Sequence, residues 1–136
     1  MSRILSIDHG EVRIGLAMTD PMKIISSPFK TIKNTGDENV LSELKDIILE
    51  NDIELIVLGH PMGLNGQKTK KTEHVEKFAE KLEELGKPIV LFDESFSTVR
   101  AHQIIHEMGQ KTGNNKEKID ALAAQVILED YLRSIQ

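Results

Sequence analysis

Acidic residues at the ends of predicted strands are the side chains whose type and spacing could do chemistry in this sequence. Asp8 follows the first apolar run of the chain, and Asp93 and Glu94 follow the last short one. Asp120 lies in a predicted final helix, just off its apolar stripe. Because catalytic groups gather at the carboxyl ends of parallel strands, we expect these carboxylates to converge from distant parts of the chain.

The chemistry of such a cluster follows from its charge and its oxygen ligands. Carboxylates about 4 Å apart repel by a few kcal/mol at an effective dielectric constant of ~20, so the cluster needs protons or cations. Oxygen ligands favour Mg²⁺ or Mn²⁺, and two such ions can activate water and stabilise the leaving oxygen of a phosphodiester. We therefore predict a metal-dependent hydrolase of phosphodiester bonds. Because neighbouring strand residues face opposite ways, one of Asp93 and Glu94 should point into the site.

Basic residues near the acids are candidates for binding a polyanion. Lys68, Lys70 and Lys71 open a predicted helix, whose N-terminus attracts phosphate, and His60 lies in the preceding loop. The 17 basic and 22 acidic residues give a net charge of −5, which argues mildly against a polyanionic partner. Metal cations would reverse that field locally, so the charge leaves both a nucleic-acid surface and an ordinary solvated face open.

The elements that must position these residues can be predicted from apolar spacing. Apolar runs and period-two alternation predict strands over residues 3–8, 12–19, 24–32, 54–59 and 89–92. Apolar residues at helical spacing predict four helices, over 40–48, 75–85, 101–108 and 119–127. The order predicts an α/β fold: an antiparallel three-strand meander and added parallel strands in one mixed sheet, with helices on both faces. The length of 136 residues predicts one domain over 1–136.

Composition excludes several classes of protein. The chain has no cysteine, which excludes disulfides, thiolate metal sites and cysteine nucleophiles. No apolar run approaches the ~20 residues of a membrane span, and the first run meets Asp8 too soon for a secretory leader. We therefore expect a cytoplasmic protein with no membrane partner.

Four motifs together resemble a known family. The sequence IDHGEVRIGLA (7–17) resembles the opening signature of the YqgF/RuvX family, an Asp-Tyr-Gly followed by Arg-Ile-Gly. VLGHP with NG (57–66) resembles its glycine–leucine–proline loop, and DESFST (93–98) its Asp-Glu-Arg-Leu-Thr-Thr segment. IDALAA (119–124) resembles its closing Asp-Ala-Ala helix. Each motif alone is weak, but four in the same order make a strong resemblance.

The resemblance implies a ribonuclease H-like fold and a bacterial cytoplasmic nuclease that matures the 5′ end of precursor 16S ribosomal RNA. It also implies that Asp8, Asp93 or Glu94, and Asp120 bind the metal, and that Arg13 holds a phosphate or braces the first turn. An alternative is a Holliday junction resolvase acting on branched DNA, which would require a two-fold dimer. A third interpretation is that the protein is a catalytically inactive nucleic-acid binder. We expect a monomer or a weak homodimer.

The chain departs from the family pattern at three positions. His9 replaces a tyrosine, His60 replaces a leucine, and Ser95 replaces an arginine. The last change removes a natural clamp for a phosphate oxygen and supports the inactive-binder alternative. Arg100, five residues further on, is our candidate to compensate.

Overall fold

A mixed sheet organises the computed structural model, which describes residues 2–93 and 116–136. Within these residues the sheet has five strands in the order β3-β2-β1-β4-β5. The β1–β2 and β2–β3 pairs are antiparallel, and the β1–β4 and β4–β5 pairs are parallel. This confirms the predicted meander with added parallel strands. The strands are β1 (Arg3–His9), β2 (Arg13–Thr19), β3 (Ser26–Lys33), β4 (Ile53–His60) and β5 (Ile89–Asp93).

Helices cover both faces of this sheet, as predicted. Helices α1 (Asp37–Asn51) and α2 (Lys70–Leu82) pack on one face, and α3 (Lys116–Ser134) packs on the other. Short 3₁₀ turns at Leu64–Gly66 and Glu83–Leu85 flank α2. The α1/α2 face buries Leu5 and Ile7 of β1, whereas the α3 face buries Ile4 and Ser6. The Ser6 hydroxyl donates a 2.6 Å hydrogen bond to the Ala124 carbonyl of α3.

Strand β4 is buried on both faces, which explains its unbroken apolar run. Ile56 and Leu58 belong to the α1/α2 core, and Val57 belongs to the α3 core, and all three side chains are fully buried. A parallel strand between helical layers has no solvent face on which polar residues could alternate.

The prediction for β3 is wrong at its start. Ile24 and Ile25 precede the strand, which begins at Ser26, and both side chains are more than 60% exposed (68% and 63%). The cause is Asp20, whose carboxylate accepts hydrogen bonds from the backbone N–H groups of Met22, Ile24 and Ile25. These bonds hold the segment as a turn, an example of local side-chain bonding that competes with sheet pairing.

Two smaller features concern the outer strands. Strand β2 begins at Arg13 rather than at Val12, which is 68% exposed. Pro28 lies on β3, an edge strand, opposite a register shift between Leu16 and Ala17. This agrees with the expectation that a proline, which lacks an N–H donor, is confined to an edge or a bulge.

The apolar stripe of α3 differs from the predicted one. The helical spacing predicted over 119–127 places Ile119, Leu122, Ala123, Val126 and Ile127 in the stripe. In the structure, the buried residues are Ala121, Ala124, Ile127, Leu128 and Leu132. The difference arises because β2 presents small residues, Gly15 and Ala17, which let the alanines of α3 approach the sheet backbone. Asp120 precedes Ala124 by one turn and therefore lies in line with the buried stripe instead of beside it.

The predicted helix over 101–108 lies outside the described residues. Of the helices in residues 2–93 and 116–136, none is both long enough and apolar enough to cross a membrane.

Candidate active site

Contact between a strand glycine and a helix backbone fixes the position of Asp120. A Cβ atom on Gly15 would overlap the carbonyl oxygen of Asp120 and approach the amide of Ala121 to 3.1 Å. Glycine inside a strand marks such close backbone approaches. The first turn of α3 therefore lies directly on β2, and no other residue type at position 15 permits this distance.

Asp8 lies on the same face of the sheet as this contact. Asp8 pairs with Gly15 across the β1–β2 ladder, and paired residues project to one side. Ser6, two residues earlier on β1, bonds to α3, which gives the same orientation by alternation. The structure thus brings two of the predicted acids, Asp8 and Asp120, to one edge of the α3 face.

Asp93 lies on the opposite face. Its neighbour Phe92 packs in the α3 core, and Ile89 packs against the α1/α2 core, so alternation along β5 places Asp93 on the α1/α2 side. In the parallel β4–β5 ladder, Asp93 pairs with His60. Of the two alternatives, Asp93 and Glu94, alternation along β5 therefore places Asp93 on the face away from Asp8 and Asp120. Within the described residues, no group of three or more acidic or histidine side chains could hold a metal ion.

Arg13 holds the carboxylate of Asp120. Its Nε donates a hydrogen bond to Asp120 Oδ2 at 2.6 Å, and the two side chains are 31% and 25% exposed. Within the described part of the chain, Oδ1 of Asp120 and the terminal amino groups of Arg13 have no hydrogen-bond partner. The guanidinium thus contacts the carboxylate through Nε.

A cavity of about 320 Å³ opens beside this ion pair. It lies over the turn between β1 and β2 and is lined by Gly10, Glu11, Val12, Arg13, Lys71 and Asp120. Lys71 comes from the first turn of α2, on the other side of the sheet edge. The cavity therefore places two cationic side chains next to one of the predicted metal ligands.

The other two predicted lysines are placed differently. Lys68 precedes α2, whose N-cap is Thr69, and its ammonium group lies 3.1 Å from Glu76. Lys70 begins the helix with an exposed side chain. The helix N-terminus itself is satisfied by a capping box between Thr69 and Thr72.

His60 ends β4 and contacts a residue that the sequence analysis did not identify. Its Nε2 lies 3.0 Å from Oε2 of Glu76 on α2, and its side chain is 17% exposed. Hydrogen bonds from Lys68 and then His60 lower the pKa of Glu76 below its ordinary value. No sequence spacing indicates this pair, whereas Gly15, also missed, could have been identified as a glycine inside an apolar alternation.

A larger cavity, of about 560 Å³, lies on the α1/α2 side of the same turn and has mixed charge. Lys81 in its wall is paired with Asp37 at 2.7 Å. The His9 ring lies 4.4 Å from the Phe78 ring, and burial lowers the pKa of His9 below its ordinary 6.5. His9 is therefore neutral near pH 7, and neither Asp8 nor Asp120 lines this larger cavity.

Glu94, Ser95 and Arg100 lie outside the described residues. The metal and phosphate roles predicted for Glu94 and Arg100 stay predictions.

Solved structures of low sequence identity share this fold. Thermus thermophilus RuvC, solved in complex with a Holliday junction substrate, aligns over 98% of this chain and 96% of its own with a TM-score of 0.58 and 12% identity. Fowlpox virus resolvase, in complex with Holliday junction DNA, covers 98% of both chains with a TM-score of 0.59 and 10% identity. These resolvases establish the ribonuclease H-like fold predicted above.

Sequence relatives are closer. A protein of Ruminiclostridium cellulolyticum named "Putative pre-16S rRNA nuclease" is 38% identical over 135 residues, which cover 98% of this chain and 95% of that protein. One of the same name from Mycoplasma mobile is 42% identical over 135 residues, covering 97% of this chain and 92% of the relative. The RuvX family, described as Holliday junction resolvase, matches residues 2–134. With nearly the whole chain matched, this protein belongs to the RuvX family.

Proposed function

We propose that this protein is a nuclease that hydrolyses phosphodiester bonds during 5′-end maturation of precursor 16S ribosomal RNA. The observation that carries the proposal is the placement of Asp8 and Asp120 on one face of the sheet edge, with Asp120 beside Arg13 and Lys71. The names of full-length relatives at 38% and 42% identity support the substrate. We also propose that residues 1–136 act as one domain in the cytoplasm, where precursor rRNA is made.

The residues present fit a divalent cation. Asp8 and Asp120 offer carboxylate oxygens from adjacent elements, and Oδ1 of Asp120 has no partner among the described residues. Hard oxygen ligands suit Mg²⁺ or Mn²⁺. Because Asp93 faces away, we propose that Glu94, the next residue, supplies the third carboxylate. When bound, such a cation would lower the pKa of an attacking water and neutralise developing charge on phosphate oxygens.

The protein's own residues have separate roles in this proposal. Arg13 orients Asp120 through Nε, and its terminal amino groups donate hydrogen bonds to a phosphate oxygen of the substrate. Lys71 adds a positive charge on the other wall of the cavity. Together they attract a strand of nucleic acid in spite of the net charge of −5.

A cleavage assay with two substrates tests the proposal. A labelled 5′-extended 16S precursor and a four-way DNA junction are incubated with the protein in Mg²⁺, Mn²⁺ or chelator. Asp8→Asn and Asp120→Asn serve as site variants and as controls for contaminating nucleases. We expect metal-dependent cleavage of the RNA by the wild type, no cleavage by either variant, and circular dichroism spectra that show all three proteins folded.

Other outcomes distinguish the alternatives. Cleavage of the junction alone would favour the resolvase activity in the family's description, and sedimentation should then show the dimer that a symmetric junction requires. If neither substrate is cut but both bind, the protein is an inactive binder. Ser95→Arg, which restores the arginine of the family pattern, is then the first variant to test for cleavage. Full activity in either aspartate variant would refute the site assignment.

A further inference from the structure

An exposed apolar side chain lines the cavity beside the Arg13–Asp120 ion pair. Val12 is 68% exposed, and it lines that cavity together with Arg13, Lys71 and Asp120. Single exposed apolar residues are common on protein surfaces and usually need no explanation. Val12 differs because its neighbours in the cavity are the charged groups to which the proposed function assigns the phosphate and the metal. A role for Val12 is therefore to be sought in the uncharged part of the substrate.

The turn that presents Val12 is held in place by β3. Asn34, which follows that strand, donates a hydrogen bond from its backbone N–H to the Val12 carbonyl and another from Nδ2 to the Gly10 carbonyl, both at 2.9 Å. A Cβ atom on Gly10 would overlap the Arg13 carbonyl oxygen, so the chain turns there as tightly as a glycine permits. Because the turn is already ordered, contact with a ligand costs little backbone entropy.

Val12 cannot bind the charged part of a nucleic acid. Its side chain has no donor for a phosphate oxygen, whereas Arg13 and Lys71 bring such donors to the same cavity. An apolar surface gains free energy when it leaves water against another apolar surface. In a nucleotide, the broad apolar surface is the face of the base, one sugar away from the phosphate.

A base shows its face to a protein only when it is unstacked. In a duplex the neighbouring base pairs cover the faces and side chains reach only the edges, whereas bases in single-stranded loops and ends can be splayed out. We propose that Val12 packs against the face of an unstacked base beside the phosphate that Arg13 and Lys71 bind, and that this contact directs cleavage to single-stranded positions of the RNA. This inference rests on the proposed function. The contact tolerates any sequence, because every base has such a face.

Binding of RNA that lacks single bases tests the contact. Fluorescence anisotropy in chelator compares a single-stranded 16S precursor fragment with versions in which one base at a time is replaced by hydrogen. At one position we expect the loss of the base to weaken wild-type binding about fivefold, the effect of burying part of a valine side chain. Val12→Ser should bind the intact fragment weakly, by the same factor, and should not respond at that position. Val12→Leu, which keeps an apolar side chain, should retain the response.

Two controls isolate the apolar contact. Ile24→Ser changes an apolar residue of the same exposure, 68%, beyond the other end of β2, and it should give the wild-type profile. Val12→Ser should leave the slope of log Kd against log salt unchanged, because it removes no phosphate contact, whereas Lys71→Met should reduce that slope. In Mg²⁺, annealing a complementary strand across the responsive position should abolish wild-type cleavage there.

The results that overturn the inference are distinct from those that overturn the proposed function. If the wild type and Val12→Ser respond alike to every missing base, Val12 contacts no base, and the proposed function is unaffected. If Val12→Ser weakens the binding of a fully paired RNA by the same factor, the contact is to the ribose and selects no single strand. If the wild type binds no RNA, the proposed function fails and this inference fails with it. Thermal denaturation of each variant confirms that it is folded before binding is measured.

Discussion

Asp120 can lie where it does because residue 15 is glycine. A methyl group on Gly15 would overlap the Asp120 carbonyl, and the obstructing atoms are backbone on both sides, so neither can rotate away. The same glycine pairs with Asp8 in the β1–β2 ladder. One residue without a side chain thus sets the separation of the two acids that the proposed function requires.

Gly15→Ala should therefore displace the start of α3 and abolish cleavage. We expect a stability loss of about 1–3 kcal/mol from the overpacked contact. The matched control is Gly86→Ala, at a left-handed turn with φ of 77° and open space, where strain costs stability far from the acids. Urea unfolding and the RNA cleavage assay measure both effects. Wild-type cleavage by Gly15→Ala would show that this contact does not set the site.

Arg13→Lys should reduce the cleavage rate while keeping the charge. A lysine cannot contact Asp120 with one edge and a phosphate with another, and loss of such an orienting partner commonly costs about 10- to 100-fold in activity. Arg3→Lys is the control, because Arg3 donates to the Asn51 carbonyl away from the cavity. Single-turnover cleavage rates decide the matter, and equal rates in the two variants would contradict the double role of Arg13.

Asp93→Asn and Glu94→Gln should differ in their effect on cleavage. Alternation along β5 places Asp93 on the face away from Asp8, so its amide should leave metal-dependent cleavage close to the wild-type rate. Glu94→Gln should remove a proposed ligand and abolish cleavage. Metal titration monitored by thermal stabilisation gives a second readout. Loss of activity in Asp93→Asn alone would reverse the assignment.

Asp20 should make a contribution to stability that depends on pH. Hydrogen bonds from Ile25, and then from Ile24 and Met22, lower its pKa in the folded protein below the ordinary 3.8. The contribution is therefore fully present above pH 3.8 and is lost as the pH falls through the lower folded value.

We expect Asp20→Ala to melt below the wild type at pH 7, with a difference that narrows below pH 3.8. Asp20→Asn keeps an amide oxygen for the turn but no charge, so its deficit at pH 7 should be smaller than that of Asp20→Ala and should also narrow below pH 3.8. Melting curves from pH 7 to pH 2.5 provide the measurement. A constant difference between wild type and Asp20→Ala over this range would contradict the role of the charged carboxylate.

The sequence alone predicts the architecture well and the site in part. Apolar period identifies the five strands and both helices of the α1/α2 face, because burial on a sheet or a helix requires those spacings. It fails at Ile24 and Ile25, where a carboxylate bonds to nearby N–H groups and apolar residues stay exposed. Such a turn depends on the hydrogen bonds of one side chain, and the spacing of apolar residues does not reveal it.

The candidate site, too, could be predicted only in part. Asp8 and Asp120 are predicted to converge because strand ends and a terminal helix must meet, and the structure brings them to one face. The position of Asp93 on the other face could not be predicted, since it depends on a strand register that shifts by single residues. The Glu76 contact to His60 depends on how α2 is rotated against β4, which no spacing in the sequence specifies.

The contacts that form the acid pair join opposite ends of the chain. Arg13 and Asp120 are 107 residues apart, and Ser6 and Ala124 are 118 apart. Loops of this length close late and slow folding. A nascent chain whose last helix has not left the ribosome therefore lacks Asp120, one of the three proposed carboxylates, and it should not cut RNA. The proposed enzyme would thus become active only after α3 has left the ribosome and packed on the sheet.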